Sequence, residues 1–457
     1  MFVLPGLLAL IVFIYARPFD FIPALKGVPF LYLFFGLAVF GYLVDLRQGK
    51  TDLRSTPHLG WVAAFTLWCF FTAAVKAPAA LADAGVKFLI AVVIYFLIAH
   101  GVRTFKAFEV LLATILACTI WISAVCVHQG LQPTECVAVA PGEDQNSSGK
   151  PDGRACATPL KCYEDPPDPE AMYRCEHAGI LGVTSIGGGR VRYVGVLQDP
   201  NEASMAVAIG VPLAFAFYQR RRSRARLVVF GVTFILAAMT VVLSQSRGGQ
   251  VVFLSVLGVY FLERYRWRGL LLGVLCALPV LALGGRSGAE DSSLERLENL
   301  YVGVQLFKAW PVLGVGFDQF TQYHQLTAHN SYVLAPAELG VFGMVAWLSV
   351  FWLTIKVPLV ASRSLLEPEA QVARIWAMAL LASMAGMAVG IFFLSFNYHY
   401  VLWIYVGISG AFYAAVKRHR PSFSVRYGWR DLLGITVGNL GLLAVLFVYT
   451  ARRLANA

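Results

Sequence analysis

Thr327-Ala328-His329-Asn330-Ser331-Tyr332 runs without a break into Val333-Leu334-Ala335-Pro336-Ala337-Glu338-Leu339-Gly340-Val341-Phe342-Gly343, and the apolar character continues to about residue 355. An apolar run of that length crosses the hydrocarbon core of a bilayer, about 30 Å thick, as a helix. A polar loop therefore meets a membrane span at His329 and Asn330. Both side chains are costly to hold there, and residues that raise the cost of insertion tend to have a task.

The rest of the chain repeats the apolar theme. Of its 457 residues, 58% are apolar and only 14% charged, against about a quarter charged in a soluble domain. Apolar segments lie at about 2–16, 28–45, 60–75, 84–101, 108–128, 203–219, 227–244, 250–263, 270–284, 331–355, 373–396, 399–416 and 431–450. The expectation is an all-α polytopic membrane protein of about 12–13 transmembrane helices, a single membrane domain over 1–457. The first segment lacks a basic start and a small-residue cleavage site, so no cleaved signal is expected. Every second connection is basic: Arg47 with Lys50 and Arg54, Arg103 with Lys106, the cluster from Arg220 to Arg226, Arg264 to Arg268, Lys356 with Arg363, and Lys417 to Arg430. The positive-inside rule places these and the N-terminus in the cytoplasm. The net charge of +11 then reflects topology, and no basic soluble domain is present to bind nucleic acid. Segment 431–450 would carry Arg452 and Arg453 outside, against the rule, so it is either an added span or does not cross.

Two long connections fall on the outer side, 129–202 and 285–330, and are expected as periplasmic loops. Long ordered loops are usually functional. The first holds Cys136, Cys156, Cys162 and Cys175. Four cysteines in an exported loop imply two disulfides, with the pairing open, holding irregular structure together. A zinc site of Cys162, Cys175 and His177 is the competing reading. Exported cysteines more often oxidise, so no metal is expected.

Exceptions to the charge rule are the informative residues. Arg190 and Arg192 sit on the outer side in Gly187-Gly188-Gly189-Arg190-Val191-Arg192, ahead of Gln198-Asp199-Pro200-Asn201-Glu202. The glycine run lets backbone approach a ligand. Asp199 before Pro200 reads as a helix cap, and helix N-termini favour anions. Arg247, in Ser244-Gln245-Ser246-Arg247-Gly248-Gly249, is a third outer arginine. A planar guanidinium meets phosphate oxygens two at a time. The plain alternative is snorkelling of each arginine to lipid headgroups. His329 is the natural general base, because a neutral imidazole accepts a proton near neutral pH. Its alternative is a structural histidine at a helix start. Asn330 either orients the ring or caps the helix. Glu338, nine residues beyond His329, is too far along a helix to be its direct partner. Residues 299–308 read as an amphipathic helix at the interface anchored by Trp310, and Pro311 to Gly316 as a turn.

Three separated blocks, Arg192 to Ala203, Ser244 to Gly249 and Trp310 to Gly343, resemble the bacterial family of O-antigen ligases and O-antigen polymerases, which includes protein O-oligosaccharyltransferases. The specific words are Asp199-Pro200-Asn201, Pro311-x-Leu313-Gly314-Val315-Gly316, and His329-Asn330 followed at fixed spacing by Gly340 and Gly343. That last spacing is closest to O-antigen ligases. The resemblance implies a fold of the GT-C glycosyltransferase class in the bacterial inner membrane, with an active site facing the periplasm. It implies that Arg192 and Arg247 bind the diphosphate of an undecaprenyl-diphosphate-linked glycan; Arg190, by its place two residues from Arg192, is a further candidate for that diphosphate. It implies that His329 activates the acceptor hydroxyl and that transfer is metal-independent and needs no cofactor; Asn330 and Asn201 are candidate supporting residues by their positions. The expected acceptor is lipid A-core. Polymerase and protein O-oligosaccharyltransferase readings transfer the same glycan to a glycan or a protein. A transporter of lipid-linked sugar would also need the arginines, but not the His329 motif, and would line a mid-membrane cavity with charge; these spans carry few charges.

Overall fold

The structure is a computed structural model and describes residues 1–18, 22, 25, 27–51, 56–140, 149–266, 268–269 and 289–455. In chain order the helices are α1 (Val3–Ala16), α2 (Phe30–Arg47), α3 (Leu59–Lys76), α4 (Ala84–Gly101), α5 (Phe105–Leu131), α6 (Pro200–Ala208), α7 (Val211–Arg220), α8 (Arg224–Leu243), α9 (Arg247–Tyr265), α10 (Ala289–Ala309), α11 (Ser331–Ser364), α12 (Gln371–Gly390), α13 (Tyr400–His419) and α14 (Trp429–Leu454). Among the described residues, ten helical stretches are long and apolar enough to cross a membrane. The chain is an all-α polytopic membrane protein. α1, with 14 residues, is shorter than these, and α9, with 19, is not among the ten. The apolar segment at 270–284 lies outside the described residues.

Packing divides the chain into two compact units. One comprises Met1–Leu8, Phe34–Leu111 and Arg286–Ala457, the other Ala9–Leu33 and Leu112–Gly285. In the first, α4 packs along α13, and α11 is the hub that touches α3, α10, α12, α13 and α14. α14 runs antiparallel to α11: Asp431 at its start meets Lys356 (2.6 Å) and Trp352 (2.9 Å), whereas Asn439 farther along bonds the Tyr332 carbonyl at 3.2 Å. The two ends of α14 therefore lie toward opposite ends of α11. That geometry suits the last apolar segment to a crossing.

α11 is broken where the sequence demands it. Pro336 lies within it, and Gly340 takes a φ of 64° that only glycine adopts without strain. The turn Pro311–Gly316 fills the break: Val315 and Gly316 amides donate to the Ala337 and Glu338 carbonyls at 3.0 and 2.9 Å, and the Val341 amide donates to the Pro311 carbonyl at 2.8 Å. Trp68 of α3 supplies its indole N–H to the Leu339 carbonyl at 2.8 Å. Irregular backbone at membrane depth is tolerated only when protein re-satisfies its polar groups in this way. Side chains have no room at the contact, because a Cβ on Gly340 would strike the Val312 carbonyl and one on Gly314 the Glu338 backbone.

In the second unit, the cysteine-bearing stretch is more ordered than expected. It forms an antiparallel sheet of β1 (Thr134–Val139), β2 (Lys150–Ala155) and β3 (Met172–His177) in the order β2-β1-β3. Disulfides Cys136–Cys162 and Cys156–Cys175 staple it. All four sulfurs are consumed, so Cys162 and Cys175 offer no thiolate for the alternative zinc set.

The helix expected over 299–308 is present. Those residues belong to the longer α10, which packs on α11 and α14. Tyr301 stacks on Phe447 with ring centroids 6.1 Å apart, and Lys308 sits over the same ring. The segment read as 373–396 also ends early. α12 stops at Gly390, and residues 391–399 form a turn before α13.

Candidate functional site

Arg190, Arg192 and Arg247 all lie in the second unit, and the fold brings their two sequence blocks together. Asp199 caps α6 by accepting from the Asn201 amide at 2.6 Å, with Pro200 at the first helical position, where its missing N–H costs nothing. The Asn201 side chain donates to the same Asp199 oxygen at 2.7 Å and accepts from the Ser246 hydroxyl at 2.6 Å. Ser246 in turn caps α9 by accepting from the Gly249 amide at 2.9 Å. A Cβ on Gly249 would meet the Ser204 hydroxyl of α6, so glycine there lets the two helices close. The N-termini of α6 and α9 thus converge, with their partial positive charges side by side.

Arg247 is the first residue of α9 and is exposed. Arg190 reaches the same place from the glycine hairpin, its Nε donating to the Ser244 carbonyl at 3.1 Å. Arg192 is buried, 1% exposed. Its Nε donates to the Thr184 carbonyl at 2.8 Å, and its amide donates to Gln129 at 2.9 Å. A buried guanidinium requires such partners to offset its desolvation.

The glycine run has a different role from the one expected. Gly187, Gly188 and Gly189 all have positive φ. The turned amides of Gly188 and Gly189 donate to the Glu176 carboxylate at 3.3 and 3.1 Å, and Ser185 donates to it as well. The anion cradled by this backbone is the chain's own β3 side chain.

A further arginine, absent from the sequence reading, lies against this region. Tyr193 donates its hydroxyl to the Ala16 carbonyl at 2.7 Å and accepts from the Trp121 indole at 2.8 Å. This brings the end of α1 to the loop, and the Arg17 side chain covers Gly195, whose φ is 64°.

His329 belongs to the first unit. Its φ of 46° places a non-glycine residue in the left-handed region, a strain that surrounding structure must hold. The next residue holds it. Asn330 is fully buried and caps α11, its Oδ1 accepting from the Tyr332 and Val333 amides at 2.9 and 3.1 Å. Ser331 then stitches the helix start to the 391–399 turn. Its amide donates to the Ile391 carbonyl and its hydroxyl to the Leu394 carbonyl, both at 2.8 Å, while the Phe396 amide donates to that hydroxyl at 2.7 Å. Thr327 accepts from Ser395 at 3.0 Å. Glu338 is spent elsewhere, accepting from the Tyr398 hydroxyl at 2.8 Å and the Phe320 amide at 3.1 Å.

His329 opens into a cavity of about 440 Å³. α10 contributes Arg296 and Leu297, the 391–399 turn Phe392 and Phe393, and the last turns of α14 Tyr449 and Arg453. The sequence reading missed these. The one signal available was Arg453 as an exception to the charge rule at the end of the last apolar segment.

The arrangement supports proton abstraction at His329 and anion binding at the α6–α9 junction. Residues 232–348, which include Arg247 and His329, match the family model described as O-antigen ligase. The match supports the O-antigen ligase and polymerase family for this chain. No curated protein matches the chain.

Proposed function

We propose, on the premise of that family, that the protein is a glycosyltransferase that moves a glycan from undecaprenyl diphosphate to an acceptor hydroxyl at the periplasmic face of the bacterial inner membrane, with lipid A-core as acceptor. The observation that carries this reading is the family match over 232–348, which holds both Arg247 and His329. In the reaction the acceptor oxygen attacks the anomeric carbon, and His329 takes the hydroxyl proton. The bond from that carbon to the diphosphate breaks, and the undecaprenyl diphosphate leaves with the electron pair. Direct attack inverts the anomeric centre.

Charge that grows on the leaving diphosphate is stabilised by groups already in place. Arg247 and Arg190 present guanidinium groups beside two converging helix N-termini, which suits them to meet phosphate oxygens. Arg192 adds positive charge from below the surface and braces the loop through Thr184 and Gln129. Asn201 supports this end by joining the caps, and Asn330 supports His329. A sugar diphosphate is already a good leaving group, so neither a protonating acid nor a metal ion is required by this scheme.

Reconstitution tests it. Purified protein is given a labelled undecaprenyl-diphosphate glycan and lipid A-core, with His329→Ala beside it. The expected result is label on lipid A-core that is lost in the variant. A ladder of longer lipid-linked glycans identifies a polymerase instead, and transfer undiminished in His329→Ala refutes the general base.

A further inference from the structure

The cavity at His329 is neither uniformly apolar nor uniformly polar. Arg296 and Arg453 face it from α10 and α14, while Leu297, Phe392 and Phe393 supply apolar wall. Its volume of about 440 Å³ falls in the range of small-ligand sites, about 300–1,000 Å³. It can therefore hold a head group and the start of a hydrocarbon chain, but not a whole multi-acyl lipid.

Arg453 has an ordinary reading as a cation at a helix C-terminus, where the dipole favours it. That role is met equally by Arg452, which precedes it in the same turn and is not part of the cavity wall. Arg453 lies over the Tyr449 ring at 5.9 Å, close to the outer limit of about 6 Å for a cation–π contact. No carboxylate among the described residues pairs with it. Its forked donors remain suited to acid oxygens.

We infer that this cavity is the acceptor subsite and selects an anionic amphiphile: a lipid-anchored acceptor whose phosphate groups meet Arg296 and Arg453, whose hydrocarbon lies on Leu297, Phe392 and Phe393, and whose reacting hydroxyl faces His329. The inference rests on the glycosyl-transfer reading for the role of His329. It adds that the acceptor is recognised by charge as well as by its sugar. The C-terminal helix α14 is then a specificity element.

The test is a binding measurement, so that it stands apart from turnover. Full-length protein in nanodiscs of zwitterionic lipid is titrated with lipid A-core and with the same glycolipid after removal of its phosphates. The phosphorylated form is expected to bind at least about ten-fold more tightly, and the R296Q/R453Q variant to lose that preference. R296K/R453K, which keeps the charges, is expected to restore part of it. Equal affinity for the two glycolipids overturns the inference, as does a preference that survives in R296Q/R453Q. Phosphatidylglycerol and undecaprenyl diphosphate serve as competitors. Displacement by the first at equal concentration makes the cavity a general anionic-lipid surface, and by the second a donor diphosphate site; either outcome also overturns it. Should R296Q/R453Q fail to fold, the comparison of glycolipids and competitors on the natural protein still decides. Failure of label transfer in reconstitution, with the phosphate preference intact, refutes the proposed reaction and leaves the anion-selective cavity standing.

Discussion

The Ser246 hydroxyl donates to the Asn201 side chain at 2.6 Å, joining the caps of two helices that are 45 residues apart in sequence. Each residue also has a local role: Ser246 satisfies the Gly249 amide, and Asn201 holds Asp199. The pair therefore fixes the segment that Arg190 bonds at the Ser244 carbonyl and that continues through Ser246 into Arg247.

Ser246→Ala removes the cap and the bridging bond together. A lost cap costs about 1 kcal/mol and a lost buried hydrogen bond a similar amount, so thermal unfolding in detergent is expected to shift downward by a few degrees. Donor titration is expected to show a raised KM for the lipid-linked glycan. An unchanged KM with a lowered melting temperature would separate the cap from donor binding.

His329→Ala and His329→Gly are expected to abolish the general base while sparing the fold. General-base removal lowers rates by about 10²–10⁴, and label transfer should fall by that order. Glycine relieves the left-handed backbone at this position, so His329→Gly should melt no lower than His329→Ala. Circular dichroism melts of the two variants check the second half.

Gly340→Ala is expected to be among the most damaging single changes. It combines a φ of 64° with a Cβ that would strike the Val312 carbonyl. Strain at such a position costs of order 1–3 kcal/mol before the collision is added. Gly314→Ala obstructs the same junction from the other side. Neighbouring sites that share a contact are non-additive, so the double variant should lose less stability than the two single losses combined. Additive losses would show that the turn and the helix break are not one structure.

Cys136→Ser with Cys162→Ser, or Cys156→Ser with Cys175→Ser, opens one staple of the small sheet. Loss of a native disulfide costs about 2–5 kcal/mol in small exported domains. The expected readout is local: protease cleavage within 134–177 rises sharply, while the apolar helices remain protected. Cleavage unchanged in both variants would show that the sheet holds without its staples.

A Glu176→Ala variant removes the anion that Gly188, Gly189 and Ser185 surround. Ser185 is the buried donor of the three, and a buried donor left without its partner costs about 1–3 kcal/mol, so the hairpin that carries Arg190 should loosen. Increased hydrogen exchange over 185–192 is the expected result, and protection equal to the natural protein would contradict it.

Local chemistry was legible in the chain itself. Apolar runs long enough to span a bilayer name the fold class, because in hydrocarbon the backbone has few other ways to satisfy its hydrogen bonds. Asp199-Pro200 marked a helix start, and Pro311 to Gly316 marked a turn, because caps and turns depend on neighbours in sequence. Only the tertiary structure decided what those pieces serve. The glycines at 187–189 looked like a ligand loop, but the amides of Gly188 and Gly189 are taken by Glu176, a partner from strand β3. The Pro311–Gly316 turn proved to be the patch for a broken helix more than twenty residues away. Arg296, Phe392 and Arg453 reach the His329 cavity from three separate elements. Periodicity and spacing report on burial and local geometry. They carry no record of which distant groups meet, since long-range packing of helices and turns sets those contacts.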